Sequence, residues 1–348
     1  MPDRLVPDRN TSDRIMPPPP PTHLEDFRPG DTMAYAPIVL DEAAIVAFAR
    51  DWDPQPFHVD AAAARESFAG RLIASGWHGC ALLMRSIADA FLLEAASLGA
   101  PGIEAVRWRA PIPPGMRIAG GHEVLEVRAS RSKPEMGLVR FRFHLADEGG
   151  TPLLEQTNWI LFGRRGAAPP APMARVAAPE VAAPEPDAAV PLPPFEDLVP
   201  GTREVVGTRR FPAHEIETFA RAFDPQAFHV DAAAAAASRF GGLCASGWHT
   251  TAAFMRALVD HRTRQAEAAR RAGLAPVALG ASPGFRDLSW TRPVYAGDTI
   301  TFATTIVDAR ASASRPGWGI VRQRNEGVNQ HGEPVLSFEG SVFWRGRG

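Results

Sequence analysis

Cysteine is nearly missing from this 348-residue chain. The two that occur, Cys80 and Cys244, cannot build a disulfide framework or a four-thiolate metal site, and a reducing, cytoplasmic setting is expected. A surplus of either charge is missing too. Lys and Arg number 37 against 39 for Asp and Glu, so the net charge of -2 offers no electrostatic footprint for nucleic acid or an anionic membrane surface. A small-molecule partner is expected instead. Long apolar runs are also missing. The first ten residues mix both charge signs, unlike a secretory signal, and the most apolar helical stretch, 76–96, is broken by Arg85, Asp89 and Glu94, so no membrane span is expected. What is present is enough apolar material, 45%, for packed cores, in a length that suits two domains of about 150 residues each.

Proline is unevenly spread. It clusters at 16–21 and again in an Ala- and Pro-rich run over 166–194, where too little apolar surface exists to offset the entropy of ordering, so both stretches are expected to be extended and mobile. The expected organisation is a tail over 1–21, a domain over 22–165, a linker over 166–193 and a second domain over 194–348. The two domains repeat one another. FARDWDPQPFHVDAAAA from Phe48 recurs as FARAFDPQAFHVDAAAA from Phe219, and ASGWH from Ala74 recurs from Ala245, both displaced by 171 residues. From Phe48 to Arg85, 25 of 38 positions are identical to their counterparts, which chance does not produce. Further on the displacement is 182, pairing Trp108 with Trp290, Pro111 with Pro293 and Pro152 with Pro334, so the second copy carries an 11-residue insertion, expected within 261–283.

One copy reads as follows. Residues 31–39 form a strand, and Asp41 caps a helix that runs to about Arg50. A longer apolar helix starts at Gly76 with Cys80, Leu83, Ile87 and Ala90 on one stripe. Strand-like runs follow at 104–109, 117–129, 137–146 and 152–162, separated by Gly and Pro. With so few helices, the long one must bury its stripe on that antiparallel sheet, an α+β layer.

Asp53 and His58 are five residues apart, as are Asp224 and His229. That spacing separates the side chains by about 140° on a helix and sets them on opposite faces of a strand, so only a turn brings them together. Pro54, Pro56 and Pro225 make the turn. A carboxylate beside an imidazole in a loop is a plausible acid/base pair. The plain alternative is an Asp that caps the next helix and a His that fills a core. The pattern's survival in both copies, while Asp51, Trp52 and Pro56 become Ala222, Phe223 and Ala227, favours chemistry. A metal site of His58, Asp60 and His78 is a weaker alternative, without a tight ligand spacing. Ser75, Gly76 and Trp77 open the long helix, as Ser246, Gly247 and Trp248 do in the second copy. A glycine there lets a ligand approach helix N–H groups, as an oxyanion hole requires, although a tight loop that needs glycine for packing reads equally well. His78 and His249 are assigned no chemistry. Cys80 and Cys244 are read as small fillers, because their counterparts are Thr251 and Ile73.

The run D-P-Q-x-F-H-x-D followed by A-S-G-W resembles the MaoC-like dehydratases, also called R-specific enoyl-CoA hydratases or hydratase 2, in both halves of the chain. The resemblance extends to W-x-x-P-x-x-x-G at Trp108 and Trp290. It implies two tandem hotdog domains, each a long helix wrapped by an antiparallel sheet, fused as a covalent pseudo-dimer with pockets between the repeats. The implied reaction is reversible hydration of a trans-2-enoyl thioester to an (R)-3-hydroxyacyl thioester. Asp53, His58, Asp224 and His229 would be catalytic, and Gly76 and Gly247 would supply oxyanion N–H groups beside Ser75, Trp77, Ser246 and Trp248. Gln55 and Gln226 stand where the family usually has Asn, Ala227 where it has Pro, and Ser75 and Ser246 where many members have His. The resemblance implies no metal and no redox cofactor. Coenzyme A, or acyl carrier protein, would enter as the carrier of the substrate, with Arg107, Arg109, Arg286 and Arg292 as candidates for its phosphates. Further association of the fused chain into a homo-oligomer is left open.

Two other classes remain. A hotdog acyl-CoA thioesterase would place an acid on the long helix, where Asp89 recurs as Asp260 but Glu94 becomes Gln265. A non-catalytic acyl-CoA binding protein would be expected to lose the Asp/His pair in one copy, and neither copy has lost it.

Overall fold

The computed structural model describes residues 22–173 and 185–347, so the expected tail and the middle of the expected linker lie outside the described residues. The first repeat runs β1 (Thr32–Ala34), β2 (Ile38–Leu40), α1 (Glu42–Trp52), α2 (Pro56–Val59), α3 (Ala61–Arg65), α4 (Gly76–Ala90), β3 (Gly102–Trp108), β4 (Met116–Ala129), β5 (Met136–Asp147) and β6 (Pro152–Gly163). The second runs β7 (Arg203–Arg210), α5 (Ala213–Phe223), α6 (Ala227–Val230), α7 (Ala232–Ala237), α8 (Gly247–Arg271), β8 (Gly284–Ser289), β9 (Thr299–Ala311), β10 (Trp318–Val328) and β11 (Pro334–Arg345).

Local chemistry explains most boundaries. Asp41 caps α1 by accepting the Ala44 N–H, as expected, and the helix runs on to Trp52. The strand expected over 31–39 is instead two short ones, because Pro37 between them has no N–H for the ladder. The expected turn after α1 contains two short helices. Pro56 starts α2 at its first position, and the Asp60 carboxylate starts α3 by accepting from Ala62 and Ala63. On α4, Cys80, Leu83 and Ile87 are buried as the periodicity requires, whereas Ala90 is exposed because the next residue, Phe91, breaks the helix and turns inward. The insertion in the second copy is a longer helix: α8 has 25 residues and α4 has 15.

The strands join in the order β1-β4-β5-β6-β3-β8-β11-β10-β9-β7, with β2 on β4, in one antiparallel sheet. The repeats meet at the β3/β8 seam, where Ile103 pairs with Leu288 and Val106 with Phe285. Glycine is required on both sides. A Cβ on Gly102 would collide with the Leu288 carbonyl, and one on Gly284 with that of Val106. Core positions alternate along the strands, as with Val139, Phe141, Phe143 and Leu145 of β5. The described ends of the Ala/Pro-rich run contain no helix or strand and lie on the second repeat: Met173 N–H donates to Arg239 O, and Trp344 Nε1 donates to Pro193 O. Among the described residues, no helix is long and apolar enough to cross a membrane.

Candidate active site

Asp53 ends α1 and His58 sits in α2, so the break between the two helices points both side chains into one spot. Both are buried, at 2% and 4% exposure. Each Asp53 oxygen accepts a hydrogen bond: Oδ1 from Gln55 Nε2 at 2.9 Å and Oδ2 from Ser75 Oγ at 2.6 Å. His58 Nδ1 lies 2.8 Å from the Ile73 carbonyl. A carbonyl only accepts, so Nδ1 carries the ring proton and the lone pair of the neutral ring is on Nε2. That Nε2 is 3.5 Å from Asp53 Oδ2.

The second repeat reproduces this arrangement. Gln226 Nε2 donates to Asp224 Oδ1 at 2.9 Å, Ser246 Oγ donates to Oδ2 at 2.6 Å, His229 Nδ1 donates to Cys244 O at 2.7 Å, and His229 Nε2 is 3.5 Å from Asp224 Oδ2. One contact has no counterpart in the first: Ser97 of the first repeat donates to Gln226 Oε1 at 2.9 Å.

Ser75 and Ser246 thus do something the motif did not show. Each is the N-cap of the long helix, accepting the N–H of Trp77 or Trp248, and each turns its own proton toward the aspartate. Gly76 and Gly247 are the first residues of α4 and α8, whose N–H groups have no acceptor within the helix. Packing also demands glycine here: a Cβ on Gly76 would collide with the Trp108 indole, and one on Gly247 with that of Trp290. Trp77 lies flat on Phe285 of the other repeat at 4.8 Å, so it holds the inter-repeat contact while lining the site.

Each pair opens on a cavity that both repeats build. The Asp53/His58 cavity measures about 730 Å³ and is walled from the second repeat by Phe254, Leu258, Gln323 and Asn325. The Asp224/His229 cavity measures about 290 Å³ and is walled from the first by Met84, Ile87, Gln156 and Asn158. Arg109 borders the larger and Arg292 the smaller, paired with Glu155 and Glu333. The other two arginine candidates border neither: Arg107 is exposed, and Arg286 pairs with Glu339 on the sheet surface.

The remaining candidates lie elsewhere. Asp60 is occupied in capping α3, and His78 stacks on Phe48 at 4.3 Å, so they do not join His58 as a ligand set. Among the described residues no group of three or more His, Cys, Asp or Glu is arranged to hold a metal. Burial pushes the His78 and His249 imidazoles down to about 3. Burial also pushes the Cys244 thiol up to about 12 and the Cys80 thiol well above its usual range, so neither is a thiolate near neutrality. Asp89 and Asp260 pair with Arg85 and Arg256 away from both cavities, and Glu94 falls in a 3-10 turn beyond α4.

Sequence reasoning missed Ser97 and the amide pairs Gln156/Asn158 and Gln323/Asn325. The one signal for the amides was their position at alternate places, in step with the buried apolar residues Leu154, Ile160 and Phe162 of β6 and Val321 of β10.

Comparison with known proteins agrees with this duplication. The MaoC-like domain matches residues 26–140 and 197–324. Mesaconyl-CoA hydratase of Cereibacter sphaeroides is 34% identical over 67 residues, a match that spans 19% of this chain and 19% of that protein. A MaoC domain protein from Chloroflexus aurantiacus superposes with a TM-score of 0.76 at 18% identity, over 94% of this chain and 99% of its own. A Mycobacterium tuberculosis protein with a double hotdog fold gives 0.64 at 18% identity, over 93% and 98%. At such identities the likeness is one of fold, and the fold is the double hotdog.

Proposed function

The chain belongs to the MaoC-like domain family, and from that premise we propose that it hydrates a trans-2-enoyl thioester reversibly to an (R)-3-hydroxyacyl thioester, at two sites. The observation that carries the reading is the 3.5 Å approach of His58 Nε2 to Asp53 Oδ2, repeated at His229 and Asp224. With Nδ1 holding the ring proton, both facing atoms are hydrogen-bond acceptors. A water molecule, with two O–H groups, satisfies both at once.

Water held in this way has its oxygen lone pairs free for carbon three of an enoyl thioester. In the reaction we propose, the water oxygen bonds to carbon three while the pair takes up its proton. The π electrons move onto the thioester oxygen, and the resulting enolate then takes the proton at carbon two from the same face. The N–H of Gly76 or Gly247 at the positive end of its helix would receive the enolate oxygen, an interaction worth about 3 kcal/mol in related acyl chemistry. Ser75 and Gln55 each donate one hydrogen bond to Asp53, one to each oxygen, and so hold the carboxylate in place beside His58. The reaction as proposed uses no metal or redox cofactor, and coenzyme A or acyl carrier protein enters only as the thioester carrier. Arg109 and Arg292 would meet its phosphates.

The test is the thioester absorbance of crotonyl-CoA. Loss of the enoyl band without release of thiol is the expected result. Thiol release would make the protein a thioesterase, and no change with any enoyl thioester would leave a binding protein.

A further inference from the structure

The inward face of the sheet carries two amide pairs where a hydrocarbon pocket would carry apolar side chains. In the first repeat they are Gln156 and Asn158 on β6, opposite Phe143 and Phe141 of β5. In the second the pair has changed strands. Gln323 and Asn325 are on β10, opposite Gly340 and Phe338 of β11. At the 182-residue displacement, Phe141 and Phe143 are thus replaced by Gln323 and Asn325, while Gln156 and Asn158 are replaced by Phe338 and Gly340. Each copy shows that the other copy's amide positions accept an apolar residue or none, yet each keeps two amides, and each pair lines the cavity of the other repeat's Asp/His pair.

All four amides are more than nine-tenths buried. Their hydrogen bonds are incomplete. Gln156 Nε2 donates to Asn158 Oδ1 at 2.9 Å, which leaves Gln156 Oε1 without a partner. Asn158 Nδ2 in turn donates to the Trp159 carbonyl at 3.3 Å, which sets both amides in this orientation and makes the unpaired Gln156 atom an acceptor. Asn325 Oδ1 accepts from Thr304 Oγ1, and Gln323 Nε2 has no partner. Buried polar atoms are nearly always paired, so each cavity lacks one hydrogen-bonding group.

We propose that both sites take an enoyl thioester whose acyl chain carries a hydroxyl group, read by Gln156 in the smaller cavity and by Gln323 in the larger. A hydroxyl both donates, as Gln156 Oε1 requires, and accepts, as Gln323 Nε2 requires. A plain alkyl chain would leave both atoms unpaired, and a carboxylate cannot donate to the first. This rests on the hydratase reading above.

The test is the hydration rate of the intact chain with (E)-2-pentenoyl-CoA, its 4-hydroxy and 5-hydroxy derivatives, and the same chain ending in a carboxylate. A hydroxylated substrate is expected to exceed the alkyl one by about tenfold or more in kcat/KM, since unpaired site atoms penalise the analogue. In the Gln156→Leu/Gln323→Leu variant that ratio should collapse toward one. Equal rates for alkyl and hydroxylated chains would mean that water satisfies the amides, and a preference for the carboxylate would assign another substrate. Either overturns the proposal while leaving the hydratase reading intact. Calorimetric binding of the saturated hydroxylated and alkyl thioesters reads the cavities independently of the variant's folding and of the reaction. Should no enoyl thioester be hydrated while the hydroxylated analogue still binds more tightly, the hydratase reading alone fails.

Discussion

Ser97 of the first repeat donates a hydrogen bond to Gln226 of the second, and Gln226 passes its own N–H to Asp224. The second carboxylate is therefore oriented by a chain of donors that begins in the other repeat. Gln55, the counterpart in the first site, has no such support, because Leu279, which bridges to Trp344 as Ser97 bridges to Phe162, has no hydroxyl to donate. Two sites of nearly identical near-shell geometry are thus held differently.

Removing that support should affect one site only. Ser97→Ala takes away the bond to Gln226, a neutral hydrogen bond worth about 0.5–1.5 kcal/mol, along with a longer one from the Gly99 N–H, so a roughly two- to tenfold fall in kcat is expected when Asp53→Asn has silenced the first site. The same change in an Asp224→Asn background should have far less effect. Equal losses in both backgrounds would mean that Ser97 serves the fold rather than the site.

The helix-mouth glycines are tested by steric fit. Gly76→Ala would drive a methyl group into the Trp108 indole, and Gly247→Ala into Trp290. Overpacking of this kind costs about 1–3 kcal/mol. A fall of several degrees in melting temperature is expected for each, and shrinking the neighbouring indole, as in Gly76→Ala/Trp108→Leu, should recover part of it. Recovery of stability without recovery of rate would separate the oxyanion role of the Gly76 N–H from packing.

The duplication was legible because the near-identical segments hold the turn chemistry, and the Asp/His pairs because Pro54 and Pro225 exclude regular structure between their members. The α4 stripe was legible from its period as far as Ile87, and failed at Ala90, where Phe91 competes for the core. The part played by Ser75 was not legible. Its hydroxyl reaches back 22 residues to Asp53, a relation that no local pattern encodes. The cavity walls were hidden for the same reason on a larger scale: Gln156 lines a site whose carboxylate is Asp224, and the two meet through the docking of one repeat on the other, at the β3/β8 seam and between helices. The sequence admits both an oxyanion and a packing reason for glycine at 76 and 247, and the Trp108 and Trp290 contacts show that packing is a sufficient one.

Acid should destabilise the fold through two histidines that take no part in the site. His78 stacks on Phe48 and His249 on Phe219 at 4.7 Å, and burial lowers both from 6.5 to about 3. Between those values the unfolded chain binds protons that the folded chain does not, so this contribution to stability is full above about pH 6.5 and is lost as the pH falls toward 3. One pH unit below 6.5 the loss is roughly 1–2 kcal/mol for each ring. His78→Phe/His249→Phe keeps a flat ring in each stack and should flatten the dependence of melting temperature on pH between about 7 and about 5. An unchanged slope would place the acid sensitivity elsewhere.

Asp53→Asn and Asp224→Asn test whether both copies work. The amide keeps the shape of the carboxylate but offers one acceptor oxygen where Asp53 offers two, to Gln55 and to Ser75, and it cannot take a proton from water. Loss of an acid/base group of this kind costs about 10²–10⁴-fold at its own site. Each single variant should therefore retain the activity of the intact site, and the double variant should fall by about a hundredfold or more. The cavities, about 730 and 290 Å³, differ enough that the two single variants should also differ in the acyl chains they prefer, with the bulkier chains confined to the Asp53 site. A panel of enoyl-CoAs of increasing length, run against both single variants, reads the two sites separately. If one single change abolishes activity on every substrate while the other changes nothing, the site whose change had no effect is vestigial, and its matching Asp/His geometry then serves the fold alone.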